Sequence, residues 1–567
     1  MVGKDPQPSL AMHGDGSPVL NVADILRIRA GLSPTAVAVT EANRSTTFSE
    51  LDLRAARLAA ALAHAGCHRG DRVAFIGANS ATFLEVLYGA TRCGAIFVPV
   101  NYRLTPREIG LILRDADPSV VVVDRMGLGW CSDTTARQHV PLLLFSGAVN
   151  GTVSEQTAVT NAMPAAAPER PSEVPATPPA VPGSTVGFYE AFRDQGEHTE
   201  PGPQPDPGPD PDSTALLLYT SGTTGPAKGI MLSGRNLGVA LHFLNVGIAL
   251  DQDSVCLAPI PFFHIAGLGL ALAATLNGAN LLLREAMDPA DVLDLLETYR
   301  VTHAVMVPTV IQRLLAAPEC RKANLSALRY IVYGASPIAL PVLREATEVF
   351  GCKFLQSYGL TESTGGFTLL DPADHTPDAE HARRLTTAGR PLPDVEVKIV
   401  NPESLDEVAP GERGEVLVRG PRVMQGYWRR PDLTAQVLST DGWLRTGDGG
   451  SFDADGYLTL HDRIKDMIVS GGENIYPAEV ESVLFGHPEI AEVSVIGVPS
   501  QKWGESPFAV VVRIPGSQLD ERQIMTWSRD QMAHFKCPVG VTFIDQLPRT
   551  ASGKVQKTVL RERYATG

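Results

Sequence analysis

Tyr219-Thr220-Ser221-Gly222-Thr223-Thr224-Gly225-Pro226-Ala227-Lys228-Gly229 is the stretch on which the reading of this chain turns. A hydrophobic run, Ala215 to Leu218, leads into it, and its eleven residues hold three glycines, four hydroxyl side chains and one lysine. That composition suits a phosphate cradle. Glycine lets the backbone turn tightly with its N–H groups aimed at an anion, hydroxyls add donors, and lysine adds a movable positive charge. The stretch is not the GxxxxGK[ST] loop: counting from Gly222, Ala227 stands at the second glycine position, and Gly229 stands where a magnesium-binding hydroxyl would follow the lysine. A magnesium ligand must therefore come from elsewhere in the chain.

At 567 residues the chain exceeds one compact core, so two or more domains are expected. A hydrophobic content of 44% with 20% charged residues is that of an ordinary globular protein. The longest apolar region, His264 to Leu283, is interrupted by Asn277, Gly278 and Asn280, so no membrane span is expected. The first residues lack the charged and apolar regions of a signal peptide. Seven scattered cysteines without a CxxC pair argue against a disulfide framework or a structural zinc site, and a reducing cytoplasm fits best. The net charge of −15 argues against a general nucleic-acid surface. From His534 onward, six basic residues stand against two acidic ones, a local patch that suits a polyanionic cofactor or a solvated tail.

Upstream of the loop, apolar periodicity alternates between helix and strand. A helix starts at the Thr47/Glu50 capping box, and Arg72 to Ile76, Ala95 to Val100 and Ser119 to Asp124 read as strands between helices. Such alternation implies crossover units and mainly parallel sheets, with ligands beyond the carboxyl ends of the strands. Between Pro164 and Pro211, 13 of 48 residues are proline; the region at 150–212 reads as an insertion outside the core. After the loop the alternation resumes. From Arg390 short strands with glycine turns suggest a β subdomain at 390–464, and Arg463 to Asp466 leads across a polar crossing into a separate segment at 465–567. The expected fold class is α/β: a large N-terminal domain, 1–464, of mainly parallel βα-layered sheets plus the β subdomain, and a small mobile α+β C-terminal domain.

The loop closely resembles the phosphate-loop signature TSGTTGxPKG of the adenylate-forming (AMP-binding) superfamily, with its acyl-CoA synthetases, luciferases and peptide-adenylation domains; here Pro226-Ala227 replaces xP. Further blocks in family order extend the resemblance over most of the chain: Tyr358-Gly359-Leu360-Thr361-Glu362, Trp443-Leu444-Arg445-Thr446-Gly447-Asp448, Arg463, and Pro548-Arg549-Thr550-Ala551-Ser552-Gly553-Lys554. The resemblance implies activation of a carboxylate by ATP, in which cations and donors hold one anion beside another, and losing one such group costs about 10² to 10³ in rate.

By that resemblance Thr220, Ser221, Gly222, Thr223, Thr224 and Lys228 hold ATP phosphates, and Gly334, Ala335 and Ser336 form the wall between adenine and acyl pockets. Tyr358 and Gly359 adjoin the purine, Thr361 offers a hydroxyl, and Glu362 is the hard oxygen ligand for Mg²⁺. Asp448 accepts the ribose hydroxyls, Arg463 reaches ribose or phosphate, and Lys554 is the adenylation lysine, beyond a hinge at Lys465. In Trp443 to Asp448 the two following residues, Gly449 and Gly450, read as loosening the turn. His264 orients the acyl carboxylate or gates the thiol, or is a satisfied core histidine. The acyl pocket is expected from Phe262, Phe263, His264, Leu268, Met306, Val310 and Gly334; Gly471, Gly472 and Lys536 are candidates for the CoA path. Trp503 in the WGE segment reads as a packing residue. The favoured activity is an AMP-forming carboxylate:CoA ligase using ATP, Mg²⁺ and coenzyme A on a hydrophobic acid. Two readings stay open beside it: loading of an acyl carrier protein, and a non-catalytic nucleotide-binding scaffold. A homodimer is common in the family and has no signature here.

Overall fold

The computed structural model describes residues 11–12, 18–19, 21–42, 44–128, 130, 141–146, 185–196, 210–220, 227–284, 288–336, 338–375, 383–463, 466–470, 473–475, 477–500, 502–549 and 555–564. The described residues of Met1–Thr220, Pro226–Val305 and Met424–Pro431 form one compact unit, and those of Met306–Val423 and Asp432–Gly567 form another.

In the first unit an eight-stranded sheet runs in the order Gly426–Tyr427, Lys228–Ser233, Thr214–Thr220, Ile96–Val100, Arg72–Ile76, Val120–Val123, Leu142–Phe145, Thr185–Phe188. From Thr214–Thr220 to Thr185–Phe188 every pairing is parallel. The two strands at the other edge pair antiparallel. Val120 to Val123 are all nearly inaccessible, as a strand covered on both faces by crossover helices must be. The crossover helices begin where hydroxyls cap them: Thr47 and Glu50 form a reciprocal capping box at Phe48–His64, and Ser80 caps Ala81–Arg92. A second group of parallel strands comprises Val37–Glu41, Asn280–Leu283, Val255–Leu257 and His303–Met306, edged by antiparallel Arg44–Thr47.

The reading of 150–212 as an excursion outside the core is corrected at 185–196. Thr185–Phe188 adds a parallel strand to Leu142–Phe145, and the helix Tyr189–Gln195 follows directly. Tyr189 is wholly buried and donates its hydroxyl to Glu85 at 3.0 Å, while Arg193 pairs with the same carboxylate at 3.1 Å. Arg54 pairs with the other oxygen of Glu85 at 3.2 Å. A nearly inaccessible carboxylate held by two guanidiniums and a phenol is a satisfied buried charge, which anchors this segment to the helix Ala81–Arg92.

In the second unit Tyr330–Gly334 lies parallel to Lys353–Leu360, followed by antiparallel Gly365–Leu370 and Arg390–Pro391. Glu396–Val400, Gly414–Arg419, Leu444–Phe452 and Leu458–Arg463 make a four-stranded antiparallel sheet, the expected β subdomain. A final α+β segment has its own sheet around the long hairpin of Ile490–Ser500 and Gly504–Arg513. Helices Pro477–Phe485, Glu521–Gln531 and Lys557–Tyr564 accompany it, and Ile468, Val480, Val495, Val511 and Ile524 form part of its core.

Candidate active site

The phosphate-loop stretch is the mouth of a hairpin. Leu216, Leu217 and Leu218 are buried and hold Thr214–Thr220 inside the sheet. Tyr219 stands opposite Gly229, and Thr220 opposite Lys228, as the last rung before the loop. Gly229 carries no side chain because a Cβ there would come within 3.0 Å of the Tyr219 ring. The Tyr219 hydroxyl donates to Asp115 at 2.6 Å; burial and then the neighbouring carboxylate push its pKa upward. The Lys228 ammonium lies 4.9 Å from the centre of the Tyr427 ring. Ser221, Gly222, Thr223 and Thr224 fall outside the described residues, as do Lys465, Gly471, Gly472 and Lys554.

In the second unit, strand register within two sheets and one hydrogen bond between them order the other blocks. Gly334 ends its strand opposite Ser357, so close that a Cβ would lie 2.2 Å from the Ser357 carbonyl oxygen. Ala335 then turns the chain in the left-handed region, φ 67°, and leads into the half-buried Ser336. A non-glycine residue held there is strained, and such strain persists where surroundings over-determine it. One strand over, a bulge falls between Tyr358 and Gly359. Gly359 packs so tightly that a Cβ would lie 1.9 Å from the Gly365 oxygen. The following turn presents Thr361 and Glu362, both partly exposed, while Ser363 is buried and its hydroxyl donates to Gly365 O at 2.8 Å and accepts from Leu360 N at 2.9 Å. Thr364 donates to Arg422 O at 2.6 Å, and Arg422, 1% exposed, pairs with Asp394 at 2.6 Å.

Asp448 stands directly opposite Arg463 across Leu444–Phe452 and Leu458–Arg463, so these two residues meet by register. The Tyr358 hydroxyl donates to Asp448 Oδ2 at 2.8 Å, a contact spanning 90 positions for which the sequence carries no local signal. Asp448 N donates to Thr446 Oγ1 at 3.1 Å, and Gly447 N donates to Glu415 at 3.2 Å. Gly449 and Gly450 follow Asp448, and the ladder with Leu458–Arg463 shifts register between Asp448 and Gly450. Both glycines are strand residues opposite Glu415 and Gly414, and a Cβ on Gly450 would lie 2.6 Å from Val416 Cγ2.

The expected acyl residues behave unequally. His264 precedes the helix Ile265–Asn277, with its backbone N–H donating to Pro261 O at 3.1 Å and its ring 4.6 Å from that of Phe263. Asn79 holds this turn by donating to Ile260 O at 2.9 Å and accepting from Phe262 N at 2.7 Å. Phe262 is fully buried, its ring edge-on to Phe83 at 5.4 Å, in a cluster with Phe75 and Phe97. Leu268 is equally inaccessible, whereas Phe263 touches Tyr102. Met306 is buried at the end of its strand, and Val310 is half-buried in the helix Pro308–Ala316. Lys536 is paired with Glu479, so its charge is already balanced in this conformation. Trp503 is 48% exposed beside Lys502, which corrects the expectation that it packs.

Among the described residues no group of three or more His, Cys, Asp or Glu side chains is placed to hold a metal. Glu362 offers a hard, partly exposed carboxylate, a donor that fits magnesium bound jointly with substrate phosphates. Nor is any helix, among the described residues, long and apolar enough to cross a membrane.

Residues 26–428 match the family model of the AMP-binding enzyme, and residues 479–554 match that of the AMP-binding enzyme C-terminal domain. The chain belongs to the AMP-binding enzyme family. A feruloyl-CoA synthase from an Amycolatopsis species is 39% identical over 539 residues, spanning 94% of this chain and 97% of that protein. A fatty acid–[acyl-carrier-protein] ligase, ScoC, of Streptomyces coeruleorubidus is 36% identical, spanning 94% of each. Among solved structures, ATP-bound MatB from Rhodopseudomonas palustris superposes with a TM-score of 0.81 at 30% identity, covering 96% of this chain and 99% of its own. The α/β class, with a large domain of parallel sheets and a smaller C-terminal domain, is that of the family.

Proposed function

We propose that this chain is an AMP-forming carboxylate:CoA ligase for a hydrophobic acid, fatty, aryl or bulkier. The observation that carries the reading is the hydrogen bond from Tyr358 to Asp448, which strand register sets opposite Arg463, with Thr361 and Glu362 on the turn that follows the strand of Tyr358. In the first half-reaction the substrate carboxylate attacks the α-phosphorus of ATP; the bond to the β,γ-phosphates breaks, giving acyl-AMP and pyrophosphate. Lys228 with the loop hydroxyls holds the phosphates, Asp448 and Arg463 hold the ribose side, and Lys554 joins carboxylate to α-phosphate. Gly334, Ala335 and Ser336 separate the adenine from the acyl group. Glu362 would hold magnesium together with the substrate phosphates, and the bound ion would neutralise phosphate charge. In the second half-reaction the CoA thiol attacks the acyl carbonyl and AMP leaves, with His264 beside the acyl end. Rotation of 465–567 about Lys465 exchanges the Lys554 face for one carrying Gly471, Gly472 and Lys536.

The 39% identity to a feruloyl-CoA synthase supports an aryl acid and CoA, and the 36% identity to an acyl-carrier-protein ligase supports the second reading, transfer to a carrier-protein thiol. Carboxylate-dependent pyrophosphate release across fatty, aryl and polycyclic acids, with and without CoA, separates them: acyl-CoA formation supports the ligase, and acyl-AMP that CoA does not consume supports the carrier reading. Lys554→Ala is expected to abolish adenylation while ATP still binds; undiminished pyrophosphate release would remove Lys554 from its role.

A further inference from the structure

We infer that Tyr427 is a positioning residue for adenylation, its ring face holding the Lys228 ammonium at the mouth of the phosphate-loop hairpin. The inference rests on the reading of Lys228 as a phosphate ligand and goes beyond it, because Tyr427 belongs to a segment 199 positions away that no part of that reading uses.

Gly426–Tyr427 is the edge strand of the eight-stranded sheet, pairing Ile230 with Tyr427 and Met231 with Gly426. The segment is braced on both sides. Trp428 N donates to Gly229 O at 2.7 Å and Gln425 N to Met231 O at 3.0 Å. The Trp428 indole N–H donates to Asp115 O at 3.1 Å, and the side chain of the same Asp115 accepts the Tyr219 hydroxyl at 2.6 Å. Gln425 Nε2 reaches Asp212 O at 2.6 Å and its Oε1 accepts from Thr214 at 2.7 Å, tying the segment to the start of the hairpin's first strand. Asp115 therefore restrains Tyr219 on one strand and, through Trp428, the segment that restrains Lys228 on the other.

The choice of an aromatic partner has a physical reason. Lysine loses considerable rotamer freedom when it is fixed, so an ammonium already placed binds phosphate with less entropic loss. A carboxylate could place it too, but would neutralise the charge the phosphates require and compete with them. A ring face attracts the cation weakly and leaves its net charge intact. Tyr427 is only 6% exposed, so the attraction acts over a largely desolvated ring.

The test is ATP affinity by calorimetry without the acid, beside KM and kcat of pyrophosphate release. Tyr427→Phe, which keeps the face, is expected to match the wild type within about twofold, whereas Tyr427→Leu is expected to weaken ATP binding several-fold to about thirtyfold. The KM for the acid stays unchanged. Because leucine also alters packing, mono- to tetrafluorinated phenylalanines at 427 supply the deciding series: shape is kept while the ring face loses negative potential, and log Kd for ATP should rise stepwise. A flat series, or tighter ATP binding by Tyr427→Leu, overturns the inference. Lys228→Ala distinguishes the two levels. If it binds ATP like the wild type, the reading of Lys228 fails; if it is impaired while the fluorinated series is flat, only the role of Tyr427 fails. Combined with Lys228→Ala, Tyr427→Leu should add nothing, and full additivity would likewise overturn it.

Discussion

Lys228 and Asp448 both sit at strand positions and carry opposite charges, and the fold restrains them by opposite means. The lysine leans on a ring face 4.9 Å away, a contact without strong directionality. The aspartate is held by a directed hydrogen bond from Tyr358 at 2.8 Å, by a backbone bond to Thr446, and by a strand whose register sets it opposite Arg463. In the proposed roles, a cation that follows a phosphate through bond breaking needs some freedom, whereas a carboxylate that receives two hydroxyls of a rigid ribose needs a fixed direction. The difference teaches that backbone register positions the anion and a side-chain face positions the cation.

The comparison breaks most visibly if the register itself is altered. Gly359→Ala would place a Cβ 1.9 Å from Gly365 O, a backbone atom that cannot rotate away. Expected are a stability loss of about 3 kcal/mol or more and near-complete loss of adenylation, because Tyr358 and Glu362 flank the displaced residue. Thermal unfolding and pyrophosphate release measure both. An alanine variant with wild-type stability would show that the strand relaxes freely and that register does not constrain this corner.

A smaller and more selective effect separates the Asp448 carboxylate from its orienting phenol. Asp448→Asn removes the charge that strengthens its hydrogen bonds and should raise the KM for ATP by about 10- to 100-fold. Tyr358→Phe removes only the orienting bond, and about 2- to 10-fold is expected. The double variant should fall short of the product of the two effects, since both act through one oxygen. Equal effects from the two single changes would mean that Tyr358 acts on the purine rather than through Asp448.

What the sequence disclosed follows from the range of the physics. Local rules placed the capping box at Thr47, the strand at Arg72 to Ile76 and the strands of the β subdomain, since periodicity and caps are short-range. The segment at 185–196 escaped because four strand residues among prolines show no usable period, and its anchor, Glu85, lies 104 positions from Tyr189. The packing of Phe262 on Phe83 was not legible either, because an apolar residue beside His264 suits a pocket or a core equally by composition. The site motifs were legible, but the bond from Tyr358 to Asp448 was not, because it joins strands of two different sheets 90 positions apart. Gly449 and Gly450 suggested a loose turn by composition, whereas both are strand residues, and at Gly450 close packing against Val416 excludes a side chain.

The smallest effect concerns the strand that carries Arg463. His461, two residues earlier, has its ring within 3.1 Å of the Ser451 hydroxyl, and burial, followed by the Arg413 charge, lowers its pKa to about 4. An unfolded histidine titrates near 6.5, so between about pH 6.5 and 4 the unfolded chain binds more protons than the folded one. The neutral ring's contribution is therefore complete above that window and is lost as pH falls through it, on the order of 2 kcal/mol after allowance for partial exposure. His461→Gln should flatten this part of the profile of Tm against pH, while Tyr427→Phe leaves it unchanged. If the drop persists in His461→Gln, another group controls acid stability. If ATP affinity weakens in step with Tm in the wild type but not in the variant, the Asp448–Arg463 corner depends on its strand in a way the Lys228 hairpin does not.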